Sequence, residues 1–370
     1  MTASPDALSL GIRATLVACV LIPGLLTALM PWLTPAGEVF AVTIPASAAR
    51  DPRLVALRRR YTAGMVALAL VVVAVALVNP DNVVLFVALS LLLPALGFFG
   101  MLACRSRVLA LKRSEGWQVK GSRAVSVALP AEAPAAIPLR WNLLYAPVIL
   151  VTVAITWMLY PSMPDRIVMQ VGFDGQVTRW ADKSLWSAAF PVFTQAFMAV
   201  VLTACHVAVV KSKRPGSANA PVASALRYGG FAQAQTIVLL GTGLVFCADM
   251  ALIPFADAGL VDLGGVALFT MATTLFVLVV SAVVAVRYGQ AGSRLLADAG
   301  GTSAQDVPGS DDDARWKAGV FYVDVDDPSV FVPKRFGIGW TVNFGNWRSW
   351  LVLAALVLAS VLFVVAVSMI

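Results

Sequence analysis

Eight uncharged, apolar runs limit what this chain can fold into: residues 14–33, 62–78, 83–104, 141–160, 185–210, 229–248, 263–286 and 351–370. A helix needs about 20 mostly apolar residues to cross a bilayer. Inside lipid every backbone N–H and C=O must find a partner within the protein, and a helix supplies these partners within its own segment. The chain therefore reads as an all-α polytopic membrane protein with about eight transmembrane helices. Only 13% of its residues are charged, against about 25% in a soluble domain.

The net charge of +7 does not point to nucleic acid, because the basic residues gather at alternating helix ends. Basic loops stay on the cytoplasmic side. With the loop after the first run placed there, segments 34–60, 105–140, 211–227 and 287–350 hold most of the 27 lysines and arginines. The opposite side keeps Arg166, Arg179 and Lys183, with Arg13 near the start of the first run. Both termini are then expected outside. The leader MTASPDA lacks the basic residues of a signal peptide, so the first run is expected to remain as a helix. Cys19, Cys104, Cys205 and Cys247 fall in or at the ends of spans without C-x-x-C spacing, and read as buried thiols rather than disulfides or metal ligands. Pro94, Pro147 and Pro191 are expected to bend their spans.

Two loop regions carry strand patterns. In residues 161–184, two β-prone runs flank Asp174-Gly175, a strong short hairpin signal because a type I′ turn needs positive φ at both central positions. This predicts a small extracellular β-hairpin. On the other side, residues 38–44 read as a strand with Phe40, Val42 and Ile44 on one face. Residues 125–129, 320–323 and 338–344 read as further strands, together predicting a small cytoplasmic β-containing cap. Residues 299–314, rich in Gly, Ser and Asp, read as a linker. The expected units are an N-terminal three-helix region (1–140), a helix-hairpin-helix unit (141–210) and helices six and seven (211–298). A cytoplasmic C-terminal module (299–350) and the last span (351–370) follow.

The segment Tyr160-Pro161-Ser162-Met163-Pro164-Asp165-Arg166-Ile167, followed by Gln170, Asp174-Gly175, Trp180 and Lys183, resembles a Pro-Asp…His…Gly…Lys signature. That signature marks a bacterial membrane domain of unknown function found in SdpI-like proteins; SdpI is the immunity and signalling protein of the Sdp toxin system. Gln170 stands where many relatives have histidine. Residues 311–347 resemble a second uncharacterised module. Its marks are acidic residues, Trp316-Lys317, Asp326-Asp327-Pro328, Phe331-Val332-Pro333-Lys334-Arg335 and Gly337-x-Gly-Trp-Thr-x-Asn-Phe-Gly345. Residues 40–45, with the basic stretch to Tyr61, fit the same pattern. The resemblance implies a membrane protein with toxin immunity or signalling as precedent.

The chemistry-bearing residues are sparse. His206 is the only histidine and reads as structural. The sequence contains no Gly-x-Ser-x-Gly, His-Glu-x-x-His or P-loop motif, so no enzyme activity, cofactor or metal is expected. Asp324-x-Asp326-Asp327 and Asp311–Asp313 read as solvated carboxylates, and Gly337-Ile338-Gly339 as a turn. Asp165, Asp174, Gly175, Trp180 and Lys183 are candidate contacts outside, for a peptide toxin or an envelope component. Lys334, Arg335 and Trp340 are candidate contacts inside, for a cytoplasmic protein. Asp249 is an intramembrane candidate because a charge in hydrocarbon is costly; Gln233 and Gln235 accompany it. The leading expectation is a non-enzymatic binding protein for immunity, sensing or signalling. A small-solute or peptide transporter or channel is the alternative, and a membrane-embedded enzyme the second alternative.

Overall fold

In the computed structural model the described residues are 5–35, 37–79, 82–119, 133–171, 177–214, 221–295 and 311–370. Among them, eight helices are long and apolar enough to cross a membrane, and the strands form small separate antiparallel pairs. The fold is therefore an all-α polytopic membrane fold with small β-hairpins. The helices are α1 (Pro5–Leu33), α2 (Pro52–Val78), α3 (Val83–Ser114), α4 (Tyr145–Leu159), the short α5 (Leu185–Ala188), α6 (Phe190–Lys211), α7 (Pro221–Asp257), α8 (Leu263–Tyr288) and α9 (Trp347–Ser368).

Local chemistry fixes several helix starts. Asp51 caps α2 through the Arg53 N–H at 2.8 Å, with Pro52 in the first turn. Asn82, Asp262 and Asn346 cap α3, α8 and α9 in the same way. Ser184 and Ser187 satisfy each other's backbone at the start of α5. The expected run 185–210 is therefore two helices, not one, broken at Ala189. Pro191 falls in the first turn of α6 and Pro147 near the start of α4, where a missing N–H costs little. Of the three prolines, Pro94 alone lies deep inside its helix.

The bundle has two groups. α1 packs on α2, α3 and α8, while α7 packs on α4, α6 and α8; α9 lies along α6. Small residues let the first group close: Gly97 sits against Thr27 and Met65. Polar side chains cross between its helices. Trp32 Nε1 donates to Thr62 Oγ1 at 2.9 Å, and Thr62 donates to the Ala28 carbonyl at 2.8 Å. Cys104 and Cys247 are buried, whereas Cys19 and Cys205 lie on the outer surface of the spans; the expectation that all four thiols are buried fails for those two.

The two ends of the bundle differ. One end, the hairpin face, carries β3 (Arg166–Val171) and β4 (Val177–Asp182), paired antiparallel with Ile167 opposite Ala181. The other, the cap face, carries three short pairs: β1 (Glu38–Val39) with β2 (Val42–Thr43), β5 (Trp316–Lys317) with β6 (Phe321–Tyr322), and β7 (Phe331–Pro333) with β8 (Trp340–Val342). Bridges Tyr322–Asn343 and Ser212–Phe331 tie the last two pairs together and to the end of α6. The expected cap thus exists as separate hairpins, not one sheet. Residues 125–129 and the Asp174-Gly175 turn lie outside the described residues. α1 begins on the hairpin face, where Gly11 meets Leu268 of α8. α9 ends there, where Trp186 Nε1 donates to the Ala366 carbonyl at 2.9 Å.

Candidate functional site

The cap is built around a strained turn. Residues 38–44 are not one strand; they fold back at Phe40 (φ 46°) and Ala41 (φ 60°). Glycine and asparagine adopt that conformation cheaply, whereas other residues pay on the order of 1–3 kcal/mol each and need surroundings that over-determine them. Phe40 is fully buried, with its ring 5.4 Å from Tyr61 and 5.9 Å from Phe336. The Arg105 guanidinium, projecting from α3, donates to the Ala41 carbonyl and, at 3.4 Å, to that of Trp316. A second tight turn, Ala318 (φ 51°) and Gly319 (φ 74°), packs against the first. Arg105 therefore fastens both turns to the bundle.

Charge closes the same joint. Arg335, only 4% exposed, pairs with Asp312, with Asp313 at 2.5 Å and with Glu38 at 3.6 Å. Its guanidinium also lies over the Trp316 ring at 5.4 Å. Lys112, in the last turn of α3, pairs with Asp311 at 2.6 Å and Asp313 at 2.7 Å. Asp313 also accepts from the Thr43 N–H and hydroxyl, each at 3.0 Å. Burial alone would raise the Asp313 carboxyl, but Lys112, the Thr43 N–H and Arg335 outweigh it and hold it below the usual carboxylate range. Glu38 goes the other way. Burial pushes it up to about 7, with Arg335 opposing and Asp312 and Asp313 adding to the rise. The run Asp311–Asp313 is therefore a docking segment, not the solvated acidic run expected.

Behind this joint the C-terminal module has a polar keystone. Asn343 is fully buried. Its Nδ2 donates to the carbonyls of Asp324 (2.7 Å) and Asp327 (3.0 Å), and its Oδ1 accepts from the N–H groups of Asp324 and Gly345 (3.0 Å each). Tyr322 donates towards Asp324 at 3.1 Å and Asp327 at 2.9 Å. Arg315 pairs with Asp324 at 2.9 Å and Lys213 with Asp327 at 2.5 Å. Asp324 and Asp327 are thus buried and paired, contrary to the solvated turn expected. Burial would raise Asp327, but Lys213, the Ser329 backbone and hydroxyl, and Tyr322 prevail and lower it to about 2. Gln290, after α8, donates to the carbonyls of Lys334 and Gly339 at 2.8 and 2.9 Å. The Trp340 ring packs at a tilt against Phe231, 5.3 Å between centres, and its Nε1 donates to the Tyr228 hydroxyl at 3.2 Å. Of the inner candidates, Arg335 and Trp340 are thus engaged within the chain, while the Lys334 side chain is exposed. Gly337 and Gly339 both have positive φ, as the expected turn requires.

The membrane interior holds a few buried polar groups, on different helix faces. His206 is fully buried, with Nε2 2.8 Å from the Ile137 carbonyl and Nδ1 3.2 Å from Asn142 Oδ1. Gln195, which the sequence reading passed over, donates to Thr152 Oγ1 at 2.8 Å and the Cys247 carbonyl at 2.7 Å, pinning α6 to α4 and α7. Asp249 accepts from Thr273 of α8 at 2.7 Å. Gln233 is exposed and Gln235 partly buried, so Asp249 and the two glutamines do not converge.

On the hairpin face, Ile167 packs onto Met163 and Ala188, and Ala181 opposite it is also buried. Trp180 is 51% exposed, and Asp165 is exposed. Lys183 faces back. Its Nζ donates to the Met163 carbonyl at 2.7 Å and lies 5.1 Å from the Tyr160 ring centre, while its N–H donates to the Asp165 carbonyl at 2.8 Å. It fastens the hairpin to the end of α4. Asp174 and Gly175 lie outside the described residues.

Two short stretches match families of unknown function. A domain of unknown function, DUF1648, matches residues 148–194, from α4 through the hairpin into α6. A family of unknown function, DUF5808, matches residues 326–350, from before β7 into α9. Comparison with curated proteins and with solved structures finds no match.

Proposed function

We propose that this chain is a non-enzymatic protein of a bacterial cytoplasmic membrane, with the hairpin face outward. Its hairpin meets a peptide toxin or an envelope component, and its cap passes the event to a cytoplasmic protein. The observation that carries this reading is the course of α6 and α9. α6 starts beside the hairpin and ends on β7, where Lys213 N–H donates to the Phe331 carbonyl at 2.9 Å. α9 starts from the module and ends at Trp186. The two stack in the half nearer the hairpin face, Phe197 on Phe363 at 4.4 Å. Both family-matched stretches thus sit at the ends of one helix pair. The basic residues crowding the cap face support its cytoplasmic placement. A ligand shifts such a unit only if it binds one arrangement better than another.

The test uses cells challenged with a secreted peptide toxin, and amide exchange on the protein in nanodiscs. Trp180→Ala is expected to lower survival while leaving the fold intact. Replacing residues 167–181 by a Gly-Ser linker is expected to speed exchange in residues 331–342 across the membrane. Full protection and unchanged exchange after that replacement would defeat the reading. A transporter or channel is the second reading, favoured by the buried Asp249 carboxyl; unchanged solute uptake by Asp249→Asn in proteoliposomes would count against it.

A further inference from the structure

Asp249 stands out among the buried groups. It lies eight residues before the end of α7, about 12 Å along the axis from the hairpin face at 1.5 Å per residue, and is 4% exposed. An ionised carboxylate offers about four acceptor sites. Here one donor serves it, the Thr273 hydroxyl at 2.7 Å. That hydroxyl has a single hydrogen and also lies 2.9 Å from the Thr270 carbonyl. Oδ1 is buried with no hydrogen-bond partner among the described residues.

No described cation compensates it. Around this stretch the charged and titratable side chains are few. Among the described residues, α1 offers Cys19 and Arg13, which is exposed and makes no ion pair; α4 offers no acid or base beyond Tyr145 at its far end; α6 offers Cys205, His206 and Lys211 towards the cap face. On α8, Asp262 caps the helix start and Arg287 lies in the last turn. On α7 itself, Cys247 is buried and its carbonyl accepts from Gln195, while Asp257 lies at one end and Arg227 and Tyr228 towards the other. A buried charge without a counter-charge costs several kcal/mol, and carboxyl groups in spans are functional by default. A neutral carboxylic acid escapes that cost and needs fewer partners.

We infer that Asp249 is a proton-binding site in the membrane interior, reached from the hairpin face and backed by Thr273. The ligand is the proton itself. It sits on the carboxyl in the conformation described and leaves only when water or a cation reaches the site. This goes beyond the binding reading above and stands or falls separately from it. It gives the bundle a group whose charge follows proton availability on one side.

The test treats the full chain in nanodiscs with dicyclohexylcarbodiimide and maps the adduct by mass spectrometry. The reagent takes up the acid's proton and adds its oxygen, so it marks undissociated carboxylic acids in apolar surroundings. Asp249 is expected to be labelled at neutral pH, with labelling falling as pH rises. Infrared difference spectra against Asp249→Asn should show an undissociated-acid carbonyl band at neutral pH. Thr273→Val should keep that band at a shifted frequency, because Thr273 is a hydrogen-bond partner of the acid and not the source of its proton. Absence of the band at neutral pH overturns the inference even if the reagent cannot reach the site. Protection from labelling by sodium chloride at fixed pH, but not by choline chloride, overturns it in favour of a cation site.

Discussion

Removing Arg335 tests the cap joint most sharply. Its guanidinium serves Asp312, Asp313 and Glu38 at once and is almost fully enclosed. Breaking a buried charge pair from one side costs about 3–5 kcal/mol. Asp313 would keep Lys112 and Thr43, and Asp312 is partly exposed and can rehydrate, so Arg335→Ala belongs near the lower end, about 3 kcal/mol. At 1.4 kcal/mol per factor of ten, docking of the module weakens about a hundredfold. Amide exchange in nanodiscs reads this directly. Residues 38–43, 316–322 and 331–342 should exchange about a hundredfold faster, while α4 and α7 keep their protection. Arg335→Met, which retains a stem over Trp316, separates packing from charge. Glu38 also loses its lowering partner, so the defect should ease as pH falls. Unchanged exchange in Arg335→Ala, or wild-type behaviour of Arg335→Met, would refute the reasoning.

Three further outcomes follow from the same geometry. Glu38 has its carboxyl raised from 4.5 to about 7, so its contribution to docking is present below its ordinary range and is lost as pH rises through 7. Glu38→Gln should flatten that pH dependence and protect the cap at pH 8, by at most about 3 kcal/mol, as read by exchange across pH. Asn343→Ala should cost about 3 kcal/mol by leaving buried backbone groups unpaired. Asn343→Asp should be about as damaging, because a carboxylate cannot donate to the Asp324 and Asp327 carbonyls; thermal unfolding in detergent checks both. Lys183→Ala should loosen the hairpin by about 1–2 kcal/mol, seen as faster tryptic cleavage at Arg166 and Arg179, with Lys183→Arg restoring part of the protection.

The spans were legible because lipid leaves one element to choose and because helix length is fixed by bilayer thickness. The hairpin strands at 166–171 and 177–182 were legible from their β-prone runs. The cap was visible only in part. Its first turn uses Phe40-Ala41 where the usual signal is Asn-Gly, so a hairpin read as a strand; only tertiary burial holds that turn. Asp311–Asp313, Asp324 and Asp327 read as solvated because their partners, Lys112, Arg335, Arg315 and Lys213, lie elsewhere in the chain. Lys112 and Lys213 also sit at helix ends, where a basic residue is already explained by membrane orientation. Asn343 lay in plain view within the Gly-Trp-Thr-x-Asn-Phe-Gly run, but nothing local says that one amide satisfies four backbone groups. Gln195 carries no motif at all; a glutamine inside an otherwise apolar span was the one available signal.

The two-faced arrangement is what every functional statement depends on, and impermeant thiol labelling tests it most directly. With Cys19, Cys104, Cys205 and Cys247 replaced by serine, Trp180→Cys and Lys317→Cys place single exposed thiols on the hairpin and the cap. In intact cells a membrane-impermeant maleimide should label position 180 at once and position 317 only after lysis. Labelling of both from outside, or of position 317 alone, would contradict the account.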